Sequence, residues 1–388
     1  MSMSRVAVVG IGHSRFGKRT DVTLGELAFE SIKQAVDDAG VDKGDIGNVV
    51  VGSAGGWYEE SLPAVVVNEY AGLSGAGTMR VEAACASGSA AVKAAYNSIM
   101  SGETDVAMAV GVEKMTEVDT PTSVELIGRA GSYVWEFENY GMTFPAYYAL
   151  YAVAHMNKFG TTEEDLSRVS VKAHRYGAMN PLAQFQKEIT LEKAMGSPVV
   201  SWPLKLYDAC PLSDGSAAVV LASEELAKKL SDTPIWIKGV GYSSDTANLS
   251  RRDDYVGLRA AVSAAAKAYA MAKVAPGDVD VATAHDCFTI AELMAYEDLG
   301  FCKKGEAAKM IREGQTEIGG RIPVNLDGGL KAKGHPIGAT GVSMAVEITK
   351  QLRGEAGKHQ APIRNGVGLV HNIGGTGHYA YVTVLSRD

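Results

Sequence analysis

Apolar residues along the chain fall into short, nearly unbroken runs, separated by segments in which they recur at helical spacing. The runs in "RVAVVGIGHS" (5–14), "NVVVGSAGG" (48–56) and "DVAMAVGVEKM" (105–115) read as strands buried on both faces, with Ala-rich helical segments between them. The same order then recurs. "PIWIKGVGYS" (234–243), "VDVATAHDCF" (279–288) and "GLVHNIGGTG" (368–377) take the corresponding places, and "GSAAVVLAS" (215–223) mirrors "HYAYVTVLS" (378–386). This imperfect internal repeat predicts an α/β fold of two βαβαβαββ halves, at 1–117 plus 200–232 and at 233–388. Residues 118–199 have no counterpart in the second half and are expected to form an inserted loop domain. Within it, "TTEEDLSRVSVKAHRYGAMNP" (161–181) carries a threonine cap, acidic residues in the first turn and Leu166, Val169 and Val171 at roughly helical spacing. It predicts a helix stopped by Asn-Pro.

Two helical segments lack the charged stripe of a surface helix. "CASGSAAVKAAYNSI" (85–99) and "HPIGATGVSMAVEI" (335–348) carry small residues on nearly every face, which places them between sheets in a five-layer α-β-α-β-α body. The start of a buried helix presents unpaired N–H groups and a partial positive charge. Cys85 stands at the first such start, where the thiolate is expected to be favoured and small neighbours leave room for an acyl group. His335 opens the repeat-related helix, and a two-fold packing of the halves would bring the two starts together. Taken singly, such a cysteine also reads as a packing residue, and such a histidine as a core side chain bonded to a carbonyl.

Composition removes several classes. The formal net charge of -8, with Lys and Arg scattered, gives no footprint for nucleic acid. Four cysteines without a CxxC pair argue against a zinc knuckle or a disulfide framework, and no stretch has the apolar length of a membrane span. A start that runs directly into a strand, and an ending "VLSRD" that is not a peroxisomal signal, lead to a cytoplasmic expectation. "VVGIGHSRFG" imitates a dinucleotide fingerprint, but Arg15 occupies the third glycine position and no acidic ribose partner follows. His371 and His378 lack a spacing that completes a metal site, and Cys210 and Cys302 read as packing or surface thiols. Neither a metal nor a nicotinamide cofactor is expected.

"CASGSAA", "HDCF" and "GHPIGATG", with "HNIGG" near the end, resemble the thiolase superfamily from the first strand to the last. "NPLAQFQKEITLEKAM" and "ACPLSDGSAAVVLAS" narrow the likeness to the branch of the sterol carrier protein 2 (SCP2) thiolases, which includes archaeal acetoacetyl-CoA thiolases. In biosynthetic thiolases the motif equivalent to "HNIGG" begins with a cysteine acting as acid and base, and the loop equivalent to "HDCF" reads Asn-Glu-Ala-Phe. Here His371 and Cys287 stand at those places, so the second thiol is relocated, as in the SCP2-like branch.

The resemblance implies that Cys85 accepts the acyl group and that His335 activates it and helps bind the attacking thioester oxygen. It implies that His285 completes that oxyanion site through a water and that Cys287 removes the α-proton of acetyl-CoA. Backbone N–H groups of Cys85 and of the turn near Ile373 and Gly374 would hold the acyl-enzyme oxyanion, with His371 supporting the geometry or transferring a proton. Ser243, Ser244, Arg251 and Arg252 are candidates for CoA; by default the two arginines are a solvated charge pair.

The implied activity is acetyl-CoA C-acetyltransfer, in which two acetyl-CoA give acetoacetyl-CoA and CoA. The implied assembly is a homodimer or dimer of dimers. 3-Hydroxy-3-methylglutaryl-CoA synthase and a small zinc-containing OB-fold protein are the implied partners, in service of the mevalonate pathway. A degradative 3-oxoacyl-CoA thiolase of SCP2 type and a non-catalytic acyl carrier or scaffold subunit are the alternatives.

Overall fold

The computed structural model describes residues 5–388, so the first four residues of the expected N-terminal half lie outside the described residues. The first half runs β1 (Val6–His13), α1 (Leu24–Ala39), β2 (Asn48–Gly52), α2 (Pro63–Ala71), β3 (Gly77–Val81), α3 (Ser87–Met100) and β4 (Val106–Lys114). After it come α4 (Thr120–Gly128), α5 (Phe144–Phe159), α6 (Glu163–Gly177), α7 (Leu191–Met195) and a ribbon of β5 (Val199–Ser201) and β6 (Leu204–Lys205). The chain returns to the sheet as β7 (Asp214–Ser223), followed by α8 (Glu224–Leu230). The second half is β8 (Ile235–Ser244), α9 (Arg259–Ala272), β9 (Val281–Ala284), α10 (Thr289–Asp298), α11 (Ala307–Arg312), α12 (Ile337–Arg353), β10 (Val367–Gly374) and β11 (Tyr379–Ser386).

The strand order β3-β2-β4-β7-β1-β8-β11-β10-β9 contains one arrangement twice, β2-β4-β7-β1 and β9-β10-β11-β8. Only Ala7–Trp236 and Val8–Ile235 pair across the seam between them. The repeat is incomplete at one point. The counterpart of β3 is reduced to a single parallel bridge from Val324 to Ala282. Pro323 brings no N–H, and the chain turns away at Asn325, whose φ is +57°.

Alternate strand residues face opposite layers. Ala7, Val9, Val49, Val51, Met108 and Val110 cluster with Leu27 and Ile32 of α1 and Val67 of α2. Val6, Val8, Val50, Ala107 and Ala109 cluster with Ala91, Val92 and Ala95 of α3. Helix α12 packs on α3, β4, β7 and β10, while α9 covers β8 and β11, giving the five layers of a thiolase-like fold. The small residues of α3 and α12 are a packing requirement. A Cβ on Gly341 would lie 2.2 Å from Ser89 N, and one on Gly88 would lie 2.8 Å from Gly338 O. Backbone atoms cannot give way as side-chain ends do.

Helix α6 forms where expected, with a reciprocal cap between Thr162 and Asp165. Its inward stripe is Leu166, Val169, Ala173 and Tyr176. Val171 is only half-buried, because Ala173 takes the next inward position. Among the described residues no helix is long and apolar enough to cross a membrane.

Candidate active site

Three connections converge where α3 meets α12. The first is the turn between β3 and α3. Ser87 N donates to Ala84 O, its hydroxyl accepts from Ala83 N at 2.9 Å, and Ala84 takes a left-handed φ of +50°. An alanine in that region costs on the order of 1–2 kcal/mol, so the turn is held by its surroundings. It presents Cys85 two residues ahead of α3. The end of β10 can approach this closely only as glycine, since a Cβ on Gly374 would lie 2.2 Å from Ala83 O.

The second connection is the loop from β9 to α10. Asn325 clamps its start by accepting from Ala284 N at 2.8 Å and donating to Ala284 O at 2.9 Å. Cys210 N donates to Cys287 O at 2.9 Å from the other side, fixing the backbone between His285 and Phe288. The third is the approach to α12, where Gly334 adopts φ +116°. His335 N donates to Ser213 Oγ at 3.0 Å, and its Nδ1 lies 2.7 Å from Thr340 Oγ1.

Together these place Cys85 Sγ and one nitrogen each of His285 and His335 within 4.8 Å of one another. The two imidazoles meet edge to face, with ring centroids 5.0 Å apart. Asn372 of β10 sits behind them, donating through Nδ2 to Cys85 O at 3.0 Å and lying 3.0 Å from His285 Nδ1. A cavity of about 600 Å³ opens on this group, and its wall includes Cys85, Cys287, His335, Cys210, Phe288 and Gly375. A thiol and an imidazole acceptor in the wall of an apolar cavity suit covalent acyl transfer. The spacing of Cys85, His285 and His335 would also admit a thiophilic cation.

Residues 6–225 match the thiolase N-terminal domain family, and residues 241–387 match the thiolase C-terminal domain-like family. The chain belongs to the thiolase family. It is 44% identical to acetyl-CoA acetyltransferase of Methanothermobacter thermautotrophicus over 387 residues, covering 99% of this thiolase and 100% of the relative. Sterol carrier protein 2 of Bos taurus is 34% identical over 96% of this chain and 70% of its own. A chain of the solved Ltp2-ChsH2(DUF35) aldolase superposes with a TM-score of 0.86 at 28% identity, covering 98% of this thiolase and 97% of that chain.

The electrostatics of the thiolase site correct one expectation. Burial, then the neighbouring Cys210, pushes the Cys85 thiol up to about 12, although the N–H groups of Gly375 and of Cys85 itself pull the other way. Position before a helix therefore does not make a standing thiolate here, because desolvation outweighs the backbone dipoles. His335 is held down to about 3 by burial and by Lys333, so the resting pair is neutral thiol and neutral imidazole. Alkylation of Cys85 by iodoacetamide is accordingly expected to quicken about tenfold per pH unit through neutrality. A rate that levels off below pH 8, after subtraction of the Cys85→Ala background, would show a preformed thiolate instead.

Cys287 is buried at 5% exposure and its thiol is also raised well above the ordinary range, by burial and then by Cys210 and Cys85. The neighbouring Tyr148 hydroxyl, which donates to Gly375 O at 3.4 Å, opposes this. Tyr148 is itself stacked on Phe288, with centroids 4.6 Å apart. Buried Lys331 lies among Asp208, Cys210, Asp286 and Cys287, its ammonium disfavoured by desolvation.

The remaining expected residues divide. His371 is buried opposite Ala284 and receives His285 N at Nδ1 over 3.5 Å, with burial holding it down to about 4; neither His371 nor His285 is part of the cavity wall, but His285 lies against the Cys85 sulfur and His371 does not. The amide that meets the Cys85 thiol is that of Gly375, whereas Ile373 and Gly374 are strand positions opposite Ala380 and Tyr379. The 372–375 turn expected to supply an oxyanion amide thus meets the thiol through its last residue. Ser243, Ser244, Arg251 and Arg252 do not line the cavity. Arg252 donates to Thr376 O at 2.8 Å, Thr376 Oγ1 at 3.1 Å, Thr246 O at 3.0 Å and the Tyr151 hydroxyl. Its guanidinium braces the turn after Gly375, so the default reading of the two arginines as a solvated charge pair does not hold for Arg252. Cys210, expected to be a packing or surface thiol, is instead part of the cavity wall.

Proposed function

We propose that this thiolase is an acetyl-CoA C-acetyltransferase that makes acetoacetyl-CoA by Claisen condensation through an acyl-Cys85 intermediate. The convergence of Cys85, His335 and Cys287 on one cavity is the observation that carries this reading. The name of the Methanothermobacter relative supports it.

The proton balance assigns the roles. Thr340 Oγ1 spends its hydrogen on Pro336 O at 2.9 Å, so it can only accept from His335 Nδ1, and His335 Nε2 keeps a bare lone pair. Nε2 takes the Cys85 proton as sulfur attacks the first acetyl-CoA. Cys287, a thiol at rest, gives its proton to the leaving CoA sulfur and becomes the thiolate that removes the α-proton of the second acetyl-CoA. His335, now carrying Nε2–H, and His285 bind the resulting enolate oxygen. The carbanion attacks the acyl group while the amides of Cys85 and Gly375 hold its oxygen, and Cys85 leaves by recovering the proton from His335. Each side chain ends in its starting protonation state and the α-proton lost by the second acetyl-CoA balances the proton carried away by CoA, so the cycle calls for no metal and no further cofactor.

Homodimerisation is supported by the open edge strand β3 and by exposed Leu62, Val65, Tyr70 and Met79 around it. An auxiliary OB-fold partner finds support in the pairing of Ltp2 with a DUF35 protein in the aldolase. A consuming 3-hydroxy-3-methylglutaryl-CoA synthase, the mevalonate pathway and a cytoplasmic setting complete the proposal. Thiolysis across a series of 3-oxoacyl-CoA lengths tests it: acetoacetyl-CoA should be favoured in kcat/KM by on the order of tenfold or more over long chains. A preference for long or branched chains would favour degradation instead.

A further inference from the structure

His285 and His335 face the same thiol but are held by chemically opposite neighbours. His335 Nδ1 meets a hydroxyl oxygen that can only accept, whereas His285 Nδ1 meets an amide nitrogen, Asn372 Nδ2, that can only donate. The hydrogen-bond network therefore assigns opposite tautomers. His335 carries its proton on Nδ1 and offers a lone pair; His285 has a bare Nδ1 and carries its proton on Nε2.

The orientation of the Asn372 amide is itself fixed. Its Nδ2 also donates to Cys85 O at 3.0 Å, and turning the amide over would set Oδ1 against that carbonyl oxygen. The cost is visible on the other side, where Asn372 Oδ1 is buried with no hydrogen-bond partner. An asparagine with only a packing role would be free to satisfy that oxygen. Both of its hydrogens are instead committed, one to the backbone of the nucleophile and one to the histidine.

We propose that Asn372 is a positioning residue that locks His285 in the Nε2–H tautomer, making it a hydrogen-bond donor to the substrate oxyanion and not a second base. The inference rests on the oxyanion role given to His285 above. It explains how two neighbouring imidazoles divide the work: only His335 is able to take the Cys85 proton, and only His285 presents an N–H before acylation.

Nitrogen NMR of protein labelled with 15N-histidine tests the lock directly, with the His285 signals identified by their loss in His285→Gln. At pH 8 the wild type is expected to show protonated Nε2 and bare Nδ1. In Asn372→Asp, whose carboxylate accepts, the proton should move to Nδ1, and thiolysis kcat should fall on the order of 10²-fold with KM little changed. A wild-type His285 protonated on Nδ1, or an Asn372→Asp protein keeping the wild-type pattern, would overturn the proposal. The wild-type spectrum decides even if the variant does not fold. A moved proton with unchanged kcat would leave Asn372 in control of the tautomer and overturn the oxyanion role of His285 on which the inference rests.

Discussion

Cys85→Ala is expected to lower thiolysis of acetoacetyl-CoA by roughly 10⁴- to 10⁶-fold while the protein stays folded, as losses of an attacking nucleophile commonly do. The fold should tolerate the change because the turn around Cys85 is held by backbone contacts and by Ser87, none of which uses the sulfur. Asn372 bonds the main-chain carbonyl of residue 85, which the substitution leaves in place. Thermal unfolding close to that of the wild type, with activity gone, is the expected pair of results. Near-normal thiolysis in this variant would remove Cys85 from the mechanism.

Cys287→Ser is expected to separate the two half-reactions. Cys85 and His335 remain in place, so acetyl-CoA should still acylate the enzyme, though more slowly without a thiol to protonate the departing CoA. Exchange of the acetyl-CoA methyl protons with deuterated solvent should fall by about 10²- to 10⁴-fold, because a serine hydroxyl is far too weak an acid to supply the base. His371 offers the competing assignment, since it stands where biosynthetic thiolases carry their second cysteine. Its Nδ1 is turned to the His285 backbone and it lies outside the cavity wall, whereas Cys287 lines that wall. Exchange in His371→Ala should therefore persist. Normal exchange in Cys287→Ser with loss in His371→Ala would reverse the two roles.

The architecture was legible because burial on both faces leaves a strong mark on a sequence. Strands flanked by helices lose their polar alternation, and helices flanked by sheets lose their charged stripe, as α3 and α12 do. The missing third strand of the second half was not legible: "RIPVNL" has strand-like residues, and only the turn at Asn325 shows that pairing stops after one bridge. The residues bearing reactive sulfur and imidazole could be named because few side chains perform that chemistry. Those that hold them could not. Ser213 and Asn372 act through hydrogen bonds between segments far apart in the chain, and Thr340, only five residues from His335, lies in a helix start whose spacing does not mark it as the imidazole's partner. Asn372 lay within a quoted motif without a role. Arg252 is a related case, a charged side chain whose default reading is solvated although four acceptors from the fold claim it. The charge state of Cys85 was misjudged for a related reason: the helix start is visible in sequence, but the degree of desolvation that opposes it depends on all the neighbouring layers.

In the proposed mechanism one thiol carries the acyl group and another moves the proton. Peptide-resolved mass spectrometry after incubation with acetyl-CoA tests it most directly. One acetyl group per chain is expected, on Cys85, in both the wild type and Cys287→Ser, and none on Cys210 or Cys287. An acetyl group on Cys287 or Cys210 in place of Cys85, or a wild-type enzyme that turns over without any adduct, would contradict it.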